Sequence, residues 1–211
     1  MEHGPNLSAH AALERLQLGN RRFTSEPQTP DALVATRHRF ALAQSPHPFA
    51  TILGCSDSRV PAEIVFDQGL GDLFVIRVAG NIVAPSQVGS VEFAAERFHT
   101  PLVVVLGHSQ CGAILATFEE LRRPVASQSP NLHAIVDRVR PSIEGLLDLG
   151  MGDDVDALLH HAVRANIRAS ADHLRHGSQV LEQMIREGKL LVVGAEYSVE
   201  TGVVDFFDGI P

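Results

Sequence analysis

The chain has 211 residues and a mass of 22.8 kDa, long enough for one domain with a core of its own. Hydrophobic residues make up 45% and charged residues 20%, which excludes a disordered chain, and no apolar run approaches the ~20 residues that span a bilayer. A net charge of −8 sets nucleic acid and anionic membrane surfaces aside as main partners, and the short basic clusters Arg21-Arg22, Arg37-His38-Arg39 and Arg122-Arg123 read as solvated helix ends.

In chain order, Ser8 is an N-cap for a helix through Leu18, closed by Gly19. Thr29-Pro30-Asp31 opens a second helix to about Ala43, stopped by Ser45-Pro46-His47-Pro48. Four short apolar runs read as buried strands: 49–54, 72–78, 102–107 and 190–195. Residues 202–207 (GVVDFF) are an added edge strand. Helices are expected at 87–98, 109–123 and 131–147, the last broken by Pro141. The stretch 153–187 is helical, with Gly177 dividing it into two. Apolar strands alternating with helices predict an α/β fold, a mostly parallel sheet of four to five strands flanked by helices. The expected organisation is a single domain over 1–211, with a helical N-terminal arm at 1–45 and a metal-binding α/β core at 46–211.

Cysteine usage carries more information. There are two, Cys55 and Cys111, beside 11 histidines, which excludes a disulfide-stapled scaffold. The segment Met1–Phe23 has no apolar core of a secretory signal, so a cytoplasmic location is expected and metal binding or catalysis outranks a bridge between the two. Cys55 follows the first strand, His108 follows the third, and Cys111 comes three residues later at the start of a helix. Ligands of open parallel sheets bind outside the carboxyl ends of the strands, where all three fall. His108 and Cys111, at i and i+3, are expected on one side of a helical turn. Two thiolates and an imidazole suit tetrahedral Zn2+ and leave one position for water, substrate or a harder side chain, which is the catalytic pattern. Two buried cysteines and a core histidine are the plainer alternative, and the strand-end placement argues against it.

Around the first cysteine the chain reads Cys55-Ser56-Asp57-Ser58-Arg59. Asp57 has two available roles. Paired to Arg59 it accepts a hydrogen bond from zinc-bound water; swung to the metal it closes the site as a fourth ligand. A second group, Asp153, Asp154, Asp156, His160 and His161, reads as a helix N-terminus whose acidic residues favour the dipole. Gly69-Leu70-Gly71 lacks the third glycine of a dinucleotide fingerprint.

Cys-Ser-Asp-Ser-Arg, followed about fifty residues later by Gly107-His108-Ser109-Gln110-Cys111-Gly112, resembles the β-class carbonic anhydrases. Further likeness lies in Gly19–Phe23, Asp72–Arg77, Ala79–Asn81, Gly89–Ala94 and Val193–Tyr197. The resemblance implies reversible hydration of carbon dioxide to bicarbonate and a proton by zinc-bound hydroxide. It assigns one Zn2+ per subunit to Cys55, His108 and Cys111, and a catalytic dyad to Asp57 and Arg59. It further implies a carbon dioxide pocket of Gln44, Phe74, Ala79, Phe93 and the Gly112 amide, formed at the interface of a homodimer or homotetramer. Ile52 stands where one subgroup has a tryptophan that builds a second, non-catalytic bicarbonate pocket, and Val78 where the family commonly has Asn. Alternatives on the same residues are a zinc hydrolase of carbonyl sulfide or carbon disulfide, and a non-catalytic zinc-binding or redox-sensing protein.

Overall fold

The computed structural model describes residues 7–25, 47–123, 129–149 and 154–210; the helix expected over 31–43, together with Gln44, lies outside them. The elements run α1 (Ala9–Ser25), β1 (Ala50–Gly54), α2 (Ala62–Val65), β2 (Leu73–Arg77), a single 3-10 turn (Ala79–Asn81), α3 (Pro85–Arg97), β3 (Leu102–His108), α4 (Gly112–Arg122), α5 (Pro130–Asp148), α6 (Val155–His176), α7 (Gln179–Arg186), β4 (Leu191–Tyr197) and β5 (Val204–Asp208).

The strands form one sheet in the order β2-β1-β3-β4-β5. The first four are mutually parallel, and β5 joins the edge antiparallel to β4. Every residue of β1 and β3 is buried, because helices cover both faces of the sheet. Side chains alternate between two cores. Leu53, Val103 and Val105 pack with Ile114 of α4, Ile143 of α5 and Ile167 and Leu174 of α6. Ile52, Val104 and Leu106 pack on the other side with Leu16 of α1 and Phe66. Sheet order reverses direction across β1 and β3, so their carboxyl ends flank the crevice where such sheets bind ligands.

Three helices differ from the sequence reading. α1 runs through Gly19 to Ser25, because burial of Ala12, Leu13, Leu16, Gly19 and Asn20 outweighs the weak helix propensity of glycine. Gly19 is there for close approach: a Cβ would lie 1.8 Å from the Phe66 carbonyl oxygen, a backbone atom that cannot step aside. Gly19→Ala is therefore expected to cost roughly 3 kcal/mol in denaturant unfolding, the upper end for overpacking; a loss below about 0.5 kcal/mol, the range of neutral surface changes, contradicts this contact. α5 continues through Pro141, the single lost hydrogen bond being outweighed by the packing of Val136, Val139 and Ile143. The helix expected from 109 begins at Gly112, with Cys111 its N-cap residue, and His108 is the last residue of β3, so the two do not share a helical turn: Ser109 and Gln110 form the turn between them. The division near Gly177 is as expected, with the Ser178 side chain accepting a hydrogen bond from Leu181 N to start α7. No described helix is long and apolar enough to cross a membrane.

Candidate metal centre

The site is assembled by strand register. Parallel pairing of Gly54 with both Arg77 and Leu106 brings the ends of β1, β2 and β3 together, and the chain beyond each end supplies one part of the site. Cys55 follows β1, His108 closes β3, and the turn after it returns Cys111 at the head of α4. One potential ligand atom from each of the three lies within 4.8 Å of the others, and all three residues are buried. Both cysteines are free thiols.

His108 shows what the cluster is built to hold. Its Nδ1 lies 2.8 Å from the Ser109 carbonyl oxygen, which can only accept, so Nδ1 carries the proton. Nε2 is fully buried and makes no hydrogen bond. A buried polar nitrogen without a partner costs about 1–3 kcal/mol unless something occupies it. Facing two thiols, it fits a soft divalent cation: two sulfurs and one nitrogen match the ligand preference of Zn2+.

The backbone is arranged to favour thiolate. The Gly80 amide in the 3-10 turn donates to Cys55 Sγ at 3.4 Å. Asn166 of α6 holds that turn through Nδ2 donated to the Gly80 carbonyl at 2.8 Å, and Ser170 donates to the Asn81 carbonyl at 3.0 Å. The Cys55 thiol is lowered by hydrogen bonding with Cys111, against burial, with further help from His108 and from the Asp57 and Gly80 backbone. Cys111 is raised, since it sits beside the Cys55 thiolate and is itself desolvated. Burial disfavours a charged His108, yet the adjoining Cys55 sulfur outweighs it and raises the imidazole. A cation held between these groups takes the place of the protons they share.

Asp57 reaches toward the same point, its Oδ2 lying 3.9 Å from His108 Nε2. Arg59 grips it in a fork: Nε donates to Oδ1 at 3.0 Å and Nη2 to Oδ2 at 2.8 Å, while the Arg59 backbone amide adds a third bond to Oδ1 at 2.9 Å. This pairing holds the Asp57 carboxyl well below the usual carboxylate range. Asp57 is thus paired with Arg59 in this structure. Arg77, at the end of β2, fixes the loop itself by donating from Nε to the Cys55 carbonyl at 3.0 Å and from Nη2 to the Asp57 carbonyl.

Of the residues predicted for a substrate pocket, Phe74, Ala79, Phe93 and Gly112 are described and Gln44 is not. Phe74 and Phe93 lie 6.2 Å apart between ring centroids, and Phe98 joins them at 5.9 and 5.6 Å, with Phe93 still 53% exposed. Ala79 opens the 3-10 turn whose Gly80 touches Cys55, and Gly112 begins α4 directly after Cys111. A cleft of about 670 Å3 flanks the centre between α4 and α6, lined in part by Gln110, Cys111, Ile114, Leu159 and Val163. The acidic group near 154 behaves as expected of a helix start: Asp154 Oδ1 accepts from Ala157 N at 3.0 Å, and Asp153 lies outside the described residues. Among the described residues, Cys55, His108 and Cys111 are the one group of three or more that could hold a metal. Sequence reasoning missed Gln110, Arg77, Asn166 and Glu200. Gln110 and Arg77 sit inside the motifs already quoted, whereas Asn166 and Glu200 come from distant segments with no local signal.

Fold and site thus define a parallel α/β protein with a buried two-thiol, one-imidazole centre at the switch point of its sheet. A family model described as carbonic anhydrase matches residues 50–204. The carbonic anhydrase 2 of Mycobacterium tuberculosis is 37% identical over 199 residues, covering 94% of this chain and 92% of the relative. The carbonic anhydrase of Mycolicibacterium smegmatis is 36% identical over 95% and 94% of the two chains. Among solved structures, a β-carbonic anhydrase of Aspergillus fumigatus superposes with a TM-score of 0.70 at 26% identity, covering 81% of this chain and 80% of that one. A tetrameric β-carbonic anhydrase of Sordaria macrospora shares the fold, with a TM-score of 0.72 at 22% identity over 82% and 88%. The chain belongs to the β-class carbonic anhydrase family.

Proposed function

We propose that this chain catalyses the reversible hydration of carbon dioxide to bicarbonate and a proton, with one Zn2+ per subunit held by Cys55, His108 and Cys111. The observation that carries the reading is the buried, partnerless His108 Nε2, which faces two thiols and has the Arg59-clamped Asp57 carboxylate 3.9 Å away. Zn2+ bound there supplies Lewis acidity that makes a nucleophile from water near neutral pH. Asp57, kept ionised by Arg59, can only accept a hydrogen bond, so it holds the attacking water with a lone pair directed away from itself, toward the substrate carbon. The new carbon–oxygen bond forms as one carbon–oxygen double bond of carbon dioxide gives up its π pair to oxygen, and a proton leaves to solvent. Phe74 and Phe93 provide an apolar wall for an uncharged substrate, with Ala79, the Gly112 amide and Gln44 assigned to the same pocket by family position. A homodimer or homotetramer with this pocket at a subunit interface, and a cytoplasmic location, complete the reading; the half-exposed Phe93 is the feature of this chain that supports the interface.

A hydrolase of carbonyl sulfide or carbon disulfide would use the same centre. Stopped-flow turnover of the zinc-loaded protein on the three substrates separates them. Carbon dioxide hydration is expected to exceed the other two by orders of magnitude, and the opposite ranking would move the assignment to sulfur substrates. Light scattering is expected to give at least a dimer.

A further inference from the structure

Gln110 is the anomaly of the site. It lies in the left-handed region, with φ of +56°, although it is neither glycine nor asparagine. Such a conformation persists only where surrounding contacts over-determine it, and those contacts mark what it serves. Both ends of Gln110 meet Arg59. Its side-chain Oε1 accepts from Arg59 Nη1 at 3.3 Å, and its backbone carbonyl accepts from Nη2 at 3.2 Å. Its amide Nε2 donates in turn to Glu200 Oε1 at 2.6 Å. Glu200 is itself held in the loop after β4: its Oε2 accepts from Ser109 Oγ at 2.7 Å and from Ser198 Oγ at 3.0 Å, while Ser109 Oγ accepts from Val199 N at 2.9 Å. Hydrogen bonding from Ser109, Ser198 and Gln110 keeps the Glu200 carboxyl ionised.

We propose that Gln110 and Glu200 are positioning residues for the reaction: Glu200 anchors Gln110, and Gln110 holds the Arg59 guanidinium in the orientation that keeps Asp57 in its fork and away from the metal ligands. The fork alone does not fix the Arg59 guanidinium: Arg77 holds the loop backbone, but the Asp57 and Arg59 side chains, bonded to each other, can still turn together on it. Gln110 supplies the external reference point, since it is rooted in the β3–α4 turn between the ligands His108 and Cys111. The clamp therefore ties Asp57 to the coordinates of the metal centre itself. This inference rests on the proposed role of the Asp57–Arg59 pair.

Polarity exchange tests the clamp. Gln110→Glu places two carboxylates face to face across a 2.6 Å contact and breaks the link to Glu200. Adding Glu200→Gln restores an amide-to-carboxylate hydrogen bond with its direction reversed, and still leaves Arg59 an acceptor at position 110. In the zinc-loaded protein, Gln110→Glu is expected to lower kcat/KM for carbon dioxide about tenfold, the scale of an orienting partner, with zinc content unchanged, and the double variant to recover to within about twofold of wild type. The exchange rate of the Arg59 Nε proton, followed by nitrogen-15 NMR, should rise in the single variant and fall back in the double. Wild-type kinetics and exchange in Gln110→Glu, or a double variant as impaired as the single, would overturn the proposal. If the wild-type protein does not hydrate carbon dioxide, the functional reading fails, while Arg59 exchange still decides whether the clamp exists.

Discussion

Cys111→Ser is expected to empty the centre and abolish activity. A serine hydroxyl stays protonated at neutral pH and is a hard ligand, so the site keeps one thiolate and one imidazole, too few for a stable tetrahedral zinc. Partners of metal ligands already cost 10–100-fold in affinity when removed, so loss of a ligand should cost at least ~100-fold. Cys111 is 4% exposed and the change is nearly isosteric, so unfolding should shift by no more than the loss of bound metal accounts for. Zinc analysis after dialysis is the check. A Cys111→Ser protein that keeps a full complement of zinc and its activity would show that the metal, if any, sits elsewhere.

The second large effect belongs to Asp57. Asp57→Asn preserves shape but offers an amide where Arg59 and the attacking water both need an acceptor. Removing one preorganised electrostatic partner of a reacting group typically costs about 10²–10³ in rate. Carbon dioxide hydration should fall by that order with zinc retained, which separates this variant from Cys111→Ser. Arg59→Ala should be milder, since a backbone amide at position 59 still donates to Oδ1 as the Arg59 amide does at 2.9 Å. A rate within about threefold of wild type in Asp57→Asn, far short of that loss, would remove Asp57 from the chemistry.

The site was more legible in the sequence than the helices around it. Buried parallel strands announce themselves as continuous apolar runs, and 102–107 grew by only one residue in the structure, to His108. Residues at the ends of such strands inherit that precision, which is why Cys55, His108 and Cys111 converge as expected. Helix boundaries were harder. Gly19 resembles a terminator, yet its role is set by the Phe66 carbonyl it must clear, a contact between segments nearly fifty residues apart. Gln110 was read only as part of a motif, because a left-handed backbone at a non-glycine residue leaves no compositional trace. Glu200, ninety residues further along the chain, becomes visible only once the loop after β4 is brought beside the β3–α4 turn.

Zinc add-back tests the central claim most directly. Protein stripped by a chelator and titrated with Zn2+ should regain carbon dioxide hydration linearly, with a break at about one equivalent per chain, as a single three-ligand catalytic site requires. Activity that survives stripping, or stripped protein that binds zinc without gaining hydration at any pH from neutral to alkaline, would contradict the account.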